Sequence, residues 1–230
     1  MWTASTFYYL GFACYGLAGI YIIIIGMPNV IRLITKQSKA KGATGQEAVI
    51  NDLVEKADNY ESAPGHARRV AATAKMLAVK YGLLEDEINK LEIAALLHDI
   101  GQVGNYPFIN QAETLTAEQM AELWEHPVLA EQILNQSLGD IGWSGRLIRW
   151  HHEAWDGTGY PDRLCNENIP LSARILAIAD AYDAMIHDRP YKKARSREEA
   201  VNELQSMAGT MFDPQVVQVM IELLKTKEVN

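Results

Sequence analysis

A surplus of basic charge is what this chain most plainly lacks: over 230 residues, Asp and Glu outnumber Lys and Arg and the formal charge is −8. Without a basic footprint a nucleic-acid backbone goes unneutralised, which excludes polymeric nucleic acid as a partner. A small anionic nucleotide stays allowed, because metal ions and a few local cations outweigh a distant acidic surface. Cysteine is scarce as well. Cys14 and Cys165 form no spacing motif, so a disulfide framework is excluded and both read as unpaired thiols. Strand-like alternation is missing over any useful length, as are internal repeats and low-complexity tracts. The expected fold class is therefore all-α.

Charge of either sign is absent from Trp2 to Ile31, and Phe7 to Met27 is almost wholly apolar. Roughly 20 such residues cross a ~30 Å hydrocarbon core as a helix. A cleaved signal peptide would need a basic start and a small-residue cleavage site, and a core helix would need a polar face; neither is evident. Arg32, Lys36, Lys39 and Lys41 follow the run and nothing basic precedes it, which places the C-terminal side in the cytoplasm. The expected organisation is a single-pass membrane anchor over residues 1–34, a basic tether over 35–46 and a catalytic domain over 47–230.

Within that domain the pattern is helical. Val49, Ile50, Leu53, Val54 and Ala57 recur at three-and-four spacing, as do Val70, Ala74, Leu77 and Ala78, and Gly82 stops the second helix. Thr116 with Gln119 and Ser196 with Glu199 read as capping boxes. Asp213-Pro214 supplies an N-cap and a proline at the first helical position.

Chemistry concentrates in a few places. His151-His152-Glu153 ends an apolar helical run, and the turn Asp156-Gly157-Thr158-Gly159-Tyr160-Pro161 follows at once. Adjacent positions on a helix point about 100° apart, so two neighbouring imidazoles suit a site with more than one metal or one met at a helix end. His98-Asp99 ends another apolar run, with Gly101 as its stop. His66 opens a helix, His126 closes one, and Asp180 sits inside the apolar helix Arg174 to Met185. Of the six histidines only His187, read as a solvated residue, is left out. A single His at a helix end is usually a cap or a surface group, but a lone buried carboxylate such as Asp180 is costly without a positive partner. Trp150, Trp155, Met185 and Met211 read first as packing residues.

Two metals about 3.5–4 Å apart acidify a water and clamp a phosphoryl group. Histidine-rich ligation with a few carboxylates suits iron, manganese or zinc better than magnesium or calcium.

The ordered series His98-Asp99-Ile100-Gly101, His126-Pro127, His151-His152-Glu153, Asp156 to Pro161, Ile169-Pro170-Leu171, Ala179-Asp180 and Arg189-Pro190-Tyr191-Lys192 resembles the HD-GYP family, from about Asn59 to the C-terminus. These are metal-dependent phosphodiesterases of the HD superfamily that open the bacterial messenger cyclic di-GMP. The resemblance implies an HD-domain helical bundle with a short C-terminal helical extension, preceded here by the transmembrane helix of a bacterial inner-membrane protein. It implies a metal-bridging hydroxide that gives the linear dinucleotide pGpG, with onward cleavage to GMP open. The metal ligands would be His66, His98, Asp99, His126, His151, His152 and Asp180. Asp99 would bridge, with His98 beside it as the catalytic pair. His66, His98 and Asp180 would lie with one metal, and His126, His151 and His152 with the other. The ions would be two divalent transition metals, iron or manganese first, with zinc or nickel as alternatives.

Arg189 and Lys192 match substrate-phosphate positions of the family, and Gln102 and Tyr160 are further candidate substrate contacts. The Gly-Tyr-Pro loop is associated there with substrate access and with signalling partners. Two departures matter. Gln102 stands where the family usually has Lys, replacing a cation with a neutral amide donor. Ser62 stands where some members place a Glu for a third metal, so two metals are expected. The alternatives are hydrolysis of another cyclic dinucleotide or nucleotide, and a poorly active module that binds cyclic di-GMP or a partner protein.

Overall fold

The helices begin and end where the sequence supplies caps. A computed structural model of the protein describes residues 46–60, 64–110, 115–138, 143–189 and 192–226. The expected anchor, all of the tether but its last residue, and Ser62 lie outside the described residues. After α1 (Gln46–Tyr60), α2 (His66–Tyr81) ends at Gly82, whose φ of 94° lets its N–H reach back to the Ala78 carbonyl at 3.0 Å. The first turn of α3 (Glu85–Leu97) carries Glu85, Asp86 and Glu87, which complement the positive helix end. α4 (Ala117–Leu123) and α8 (Arg197–Ser206) start at the expected capping boxes on Thr116 and Ser196. α9 (Pro214–Thr226) starts at Pro214, with Asp213 accepting from the Gln215 N–H at 2.8 Å. Between these lie α5 (His126–Leu138), α6 (Trp143–Arg149) and α7 (Leu171–Ile186), with short 3-10 turns at Ile100–Gln102, Pro107–Asn110 and Asn166–Asn168.

The apolar faces converge on one core. Leu53, Val70, Leu77, Leu91, Leu97, Ile133, Leu147, Ile175 and Leu176 are fully buried, each removal from water contributing about 1.5–3 kcal/mol. Ala71, Ala74 and Ala78 on α2 and Ala94 and Ala95 on α3 are small, which lets these two helices pack intimately, and α7 packs against both. Val216, Val217, Met220 and Ile221 bring α9 onto the same core, and Ala200 and Leu204 bring α8. These last helices are thus built into the bundle and do not simply extend it. Tyr106, Phe108 and Leu129 form a small second cluster beneath the loop after α3.

Among the described residues there is no strand, only two isolated bridges, Arg189 with Lys192 and Ala208 with Phe212. No helix among them is long and apolar enough to cross a membrane. Two local expectations change. His126 opens α5 and does not close a helix, because α4 ends at Leu123 and the chain turns once before restarting. The Asp180 helix runs from Leu171 to Ile186, longer than its apolar centre, with Pro170 at its N-cap.

Candidate metal centre

Three imidazoles are set by one repeated device. His98, at the C-cap of α3, donates Nδ1–H to the Ala95 carbonyl at 2.8 Å; His126 donates to Leu123 at 2.7 Å, and His151 to Ile148 at 2.5 Å. In each the acceptor lies three residues back, at the end of the preceding helix. A carbonyl can only accept, so the proton sits on Nδ1 and the Nε2 lone pair is turned inward. His66, the first residue of α2, is held differently: its Nδ1 lies 2.7 Å from Asp183 Oδ2 on α7.

The inward atoms converge. His66, His98 and Asp180 form one set and His126, His151 and His152 another; in each, one ligand atom per residue lies within 4.8 Å of the others. His98, Asp99 and His151 form a third set that links the two. Asp99 faces both sides: its Oδ2 is 3.4 Å from His98 Nε2, and its Oδ1 is 3.3 Å from His126 Nε2. Asp180 Oδ1 stands 3.2 Å from His66 Nε2 and 3.8 Å from His98 Nε2.

Two features fit this donor set to metal ions. The Nε2 atom of His98 is buried without a hydrogen-bond partner, a costly arrangement unless a cation meets it, and that of His66 faces the Asp180 carboxylate at 3.2 Å. His126 Nε2 and His151 Nε2 face each other at 3.3 Å although both rings already carry their proton on Nδ1. Two lone pairs pointed at each other need a positive charge between them.

The electrostatics agree. Burial, then the neighbouring His152, holds His151 well below the usual histidine range; burial, then His126, brings His152 down to about 3. Burial by itself would raise the Asp99 and Asp180 carboxyls, but the surrounding imidazoles outweigh it, His98 foremost at Asp99 and His66 at Asp180, and both stay low. At His151 and His152 a neutral imidazole beside ionised carboxylates is the protonation state that ligation requires. Burial also pulls His66 down, but the adjoining Asp180 and Asp183 carboxylates prevail and lift it to about 10.

A supporting layer surrounds the set. Asp183 is 3% exposed and also accepts from Arg69, Nε at 2.8 Å and Nη2 at 3.0 Å. His187 donates Nδ1–H to the Asp183 carbonyl at 3.0 Å, with the Asp183 carboxylate 3.1 Å away, so it belongs to this layer and is not merely solvated. Sequence reasoning missed Asp183 and Arg69. The spacing Asp180-x-x-Asp183 on one helix face was a usable signal; Arg69 left none.

The Gly-Tyr-Pro loop is pinned against His152 and the two residues after it. Gly159 is required there: a Cβ would lie 2.1 Å from the Ala154 nitrogen and 2.6 Å from Glu153 Cα. The close approach lets the Tyr160 N–H reach the His152 carbonyl at 3.2 Å and stacks the Tyr160 ring on His152, with centroids 4.9 Å apart. Trp124 lies 5.6 Å from the same ring. Glu153 accepts from the N–H groups of Asp162 at 2.7 Å and Leu164 at 2.9 Å. Arg149 grips Asp162 with two bonds of 2.7 Å, and Trp150 Nε1 donates to it at 2.7 Å. Gly101 plays a comparable part under His98-Asp99, where a Cβ would sit 2.1 Å from the His126 carbonyl oxygen.

Of the candidate substrate contacts, Arg189 Nη2 comes within 3.5 Å of His66 Nδ1, and the bridge between Arg189 and Lys192 sets these two residues side by side. Burial, then Arg195, lowers the Lys192 ammonium. Gln102 donates Nε2–H to Asp99 Oδ1 at 2.6 Å. Pro190 and Tyr191 lie outside the described residues.

Residues 49–216 match the family model described as HD domain, and the chain belongs to that family. The motifs that resemble HD-GYP proteins fall within those residues or directly beside the site they form. A cyclic di-GMP phosphodiesterase of Thermotoga maritima is 36% identical over 162 residues, 70% of this chain and 44% of the relative. A 3'3'-cGAMP-specific phosphodiesterase of Vibrio cholerae is 37% identical over 159 residues, 68% of this chain and 30% of the relative. The solved structure of a cyclic GMP-AMP specific phosphodiesterase of V. cholerae superposes with a TM-score of 0.61 at 22% identity, covering 75% of this chain and 47% of that one. It shows a shared fold. The chain thus spans less than half the length of these relatives.

Proposed function

We propose that this chain is a metal-dependent phosphodiesterase of cyclic dinucleotides, with cyclic di-GMP as the leading substrate. The observation that carries the reading is the pair of three-residue ligand sets joined through Asp99, with the ring nitrogens turned inward and His98 Nε2 buried without a partner. His66, His98 and Asp180 would hold one divalent ion, His126, His151 and His152 the other, and Asp99 would contribute an oxygen to each. When bound, two such ions lower the pKa of a water and stabilise charge on the phosphoryl oxygens.

The protein's own part is positioning. The carbonyls of Ala95, Leu123 and Ile148 and the Asp183 carboxylate fix the rings, so little reorganisation is needed during reaction. Arg189, beside His66, and Lys192, bridged to it through the backbone, would meet a non-reacting phosphate, the Arg as a fork and the Lys as a point charge. Tyr160, stacked on His152, closes the pocket wall against the loop. The all-imidazole set favours a transition metal, iron or manganese first. The uncharged run Trp2–Ile31 supports a bacterial inner-membrane anchor with this domain on the cytoplasmic side.

A second substrate is favoured by one specific observation: the relative named as specific for 3'3'-cGAMP is as similar as the one named for cyclic di-GMP. The test is turnover of cyclic di-GMP, 3'3'-cGAMP and a panel of linear nucleotides by protein reconstituted anaerobically with iron or manganese. Metal-dependent linear product from a cyclic dinucleotide supports the proposal, and the faster substrate names the messenger. Full metal occupancy and retained binding with no product would replace it with a receptor role.

A further inference from the structure

We infer that Gln102 is a positioning residue for the shared carboxylate Asp99 and makes no contact with substrate phosphate; the inference rests on the two-metal reading above. The side chain leaves the 3-10 turn Ile100–Gln102 directly after the His-Asp pair, where the turn's own bond from the Gln102 N–H to the Asp99 carbonyl, 2.8 Å, ties the two residues together. From there the amide donates to Asp99 Oδ1 at 2.6 Å. His126 Nε2 lies 3.3 Å from the same oxygen, while Oδ2 is turned to His98 at 3.4 Å and His66 at 3.9 Å.

This arrangement divides the carboxylate. A carboxylate oxygen has two lone pairs. At Oδ1 one is taken by Gln102, and the other is left for whatever His126 faces. With that oxygen anchored, the plane of the carboxyl is fixed and Oδ2 is directed at the opposite set. The bond at 2.6 Å commits one N–H of the amide to Asp99, and a neutral donor leaves the charge of Asp99 undiminished. The polypeptide beneath is equally constrained: Gly101 lies against the His126 carbonyl with no room for a Cβ, so the turn that carries Gln102 is locked to the helix that carries His126. Gln102 therefore tunes the ion on the His126 side through the carboxylate that both halves share.

Hydrogen bonds to metal-ligating groups are worth about 10–100-fold in metal affinity. The experiment titrates manganese into metal-free wild-type, Q102A and Q102K full-length proteins by calorimetry, with thermal unfolding of the metal-free forms alongside. Cyclic di-GMP kinetics follow at saturating metal. In wild type, two binding events and turnover uphold the two-metal reading; fewer than two would sink both that reading and this inference. Given two, the inference expects Q102A to keep its unfolding temperature, to weaken one binding event about 10–100-fold and to leave KM within a few-fold. Q102K, which returns a donor to Oδ1, recovers that affinity. Unchanged metal affinity in Q102A together with a raised KM would overturn the inference, making Gln102 a substrate contact, while the two-metal reading stood.

Discussion

Asp183 never enters the ligand sets, yet replacing it tests how much of the centre's affinity resides in its support. Asp183→Asn keeps the shape of the side chain and removes its charge. In the native protein this carboxylate accepts from His66 at 2.7 Å and from two nitrogens of Arg69, at 2.8 and 3.0 Å, and is almost wholly buried. The amide oxygen can take only one of the two carboxylate positions and its NH2 turns an N–H toward the donor at the other, so at least one charge-assisted bond is lost, a cost of about 1.5–3 kcal/mol. The Arg69 side chain is 33% exposed, and solvent screening holds its share toward the lower end. His66 also loses the anion that orients its ring, for which about 10–100-fold in affinity is expected at the set it shares with His98 and Asp180. At about 1.4 kcal/mol per tenfold that is a further loss of similar size. Chelator competition with manganese reads the affinity and thermal unfolding of the metal-free protein reads the stability. If D183N bound both ions as tightly as wild type, the idea that Asp183 sets the His66 ring would be refuted.

Three other outcomes follow from the geometry. Gly159→Ala puts a Cβ 2.1 Å from the Ala154 nitrogen, so the loop must move; overpacking of this kind costs about 1–3 kcal/mol or more, and the expected result is a lower unfolding temperature with loss of turnover, whereas wild-type kinetics would show that the loop's seat is irrelevant. Arg189→Ala should raise KM for a cyclic dinucleotide by about tenfold or more, the value of one charge-assisted contact, with metal content unchanged; an unaltered KM removes Arg189 from the substrate site. For the metal-free protein the pH profile should fall on both sides. His66, raised to about 10, contributes stability that is complete below its ordinary value near 6.5 and is lost as pH rises toward 10. His152, depressed to about 3, contributes stability present above about 6.5 and lost as pH falls toward 3. Unfolding temperatures measured across this range should decline at both ends, with the alkaline decline missing in His66→Gln; a flat profile would contradict the assignment.

Much of this architecture could be read in the chain because its signals are local. Caps at Thr116, Ser196, Asp213 and Gly82 each depend on residues within a turn, and the structure has a helix boundary at every one. The seven histidine and aspartate candidates were visible because histidine is rare here and six histidines leave little room for chance. The structure brings all seven into one cluster; their service as ligands is the proposal. What escaped was long-range or depended on one turn of backbone. Asp183 meets His66 and Arg69 across more than a hundred residues, and an arginine on a helix surface announces no partner. His126 was placed at the wrong end of its helix because the break after Leu123 carries no glycine or proline, only one irregular turn before Pro127. His187 looked solvated because its partner, Asp183, was itself unnoticed. Gln102 was noticed as a substitution, but its direction toward Asp99 depends on a 3-10 turn that hydrophobic periodicity does not encode.

The count of metal ions per chain in anaerobically prepared, full-length protein tests the central claim most directly. Two His-rich sets joined through Asp99 predict close to two transition-metal ions, falling to one or fewer in Asp99→Ala. A wild-type value of one or less after saturating reconstitution, or an Asp99→Ala variant that still holds both ions at wild-type affinity, would contradict it.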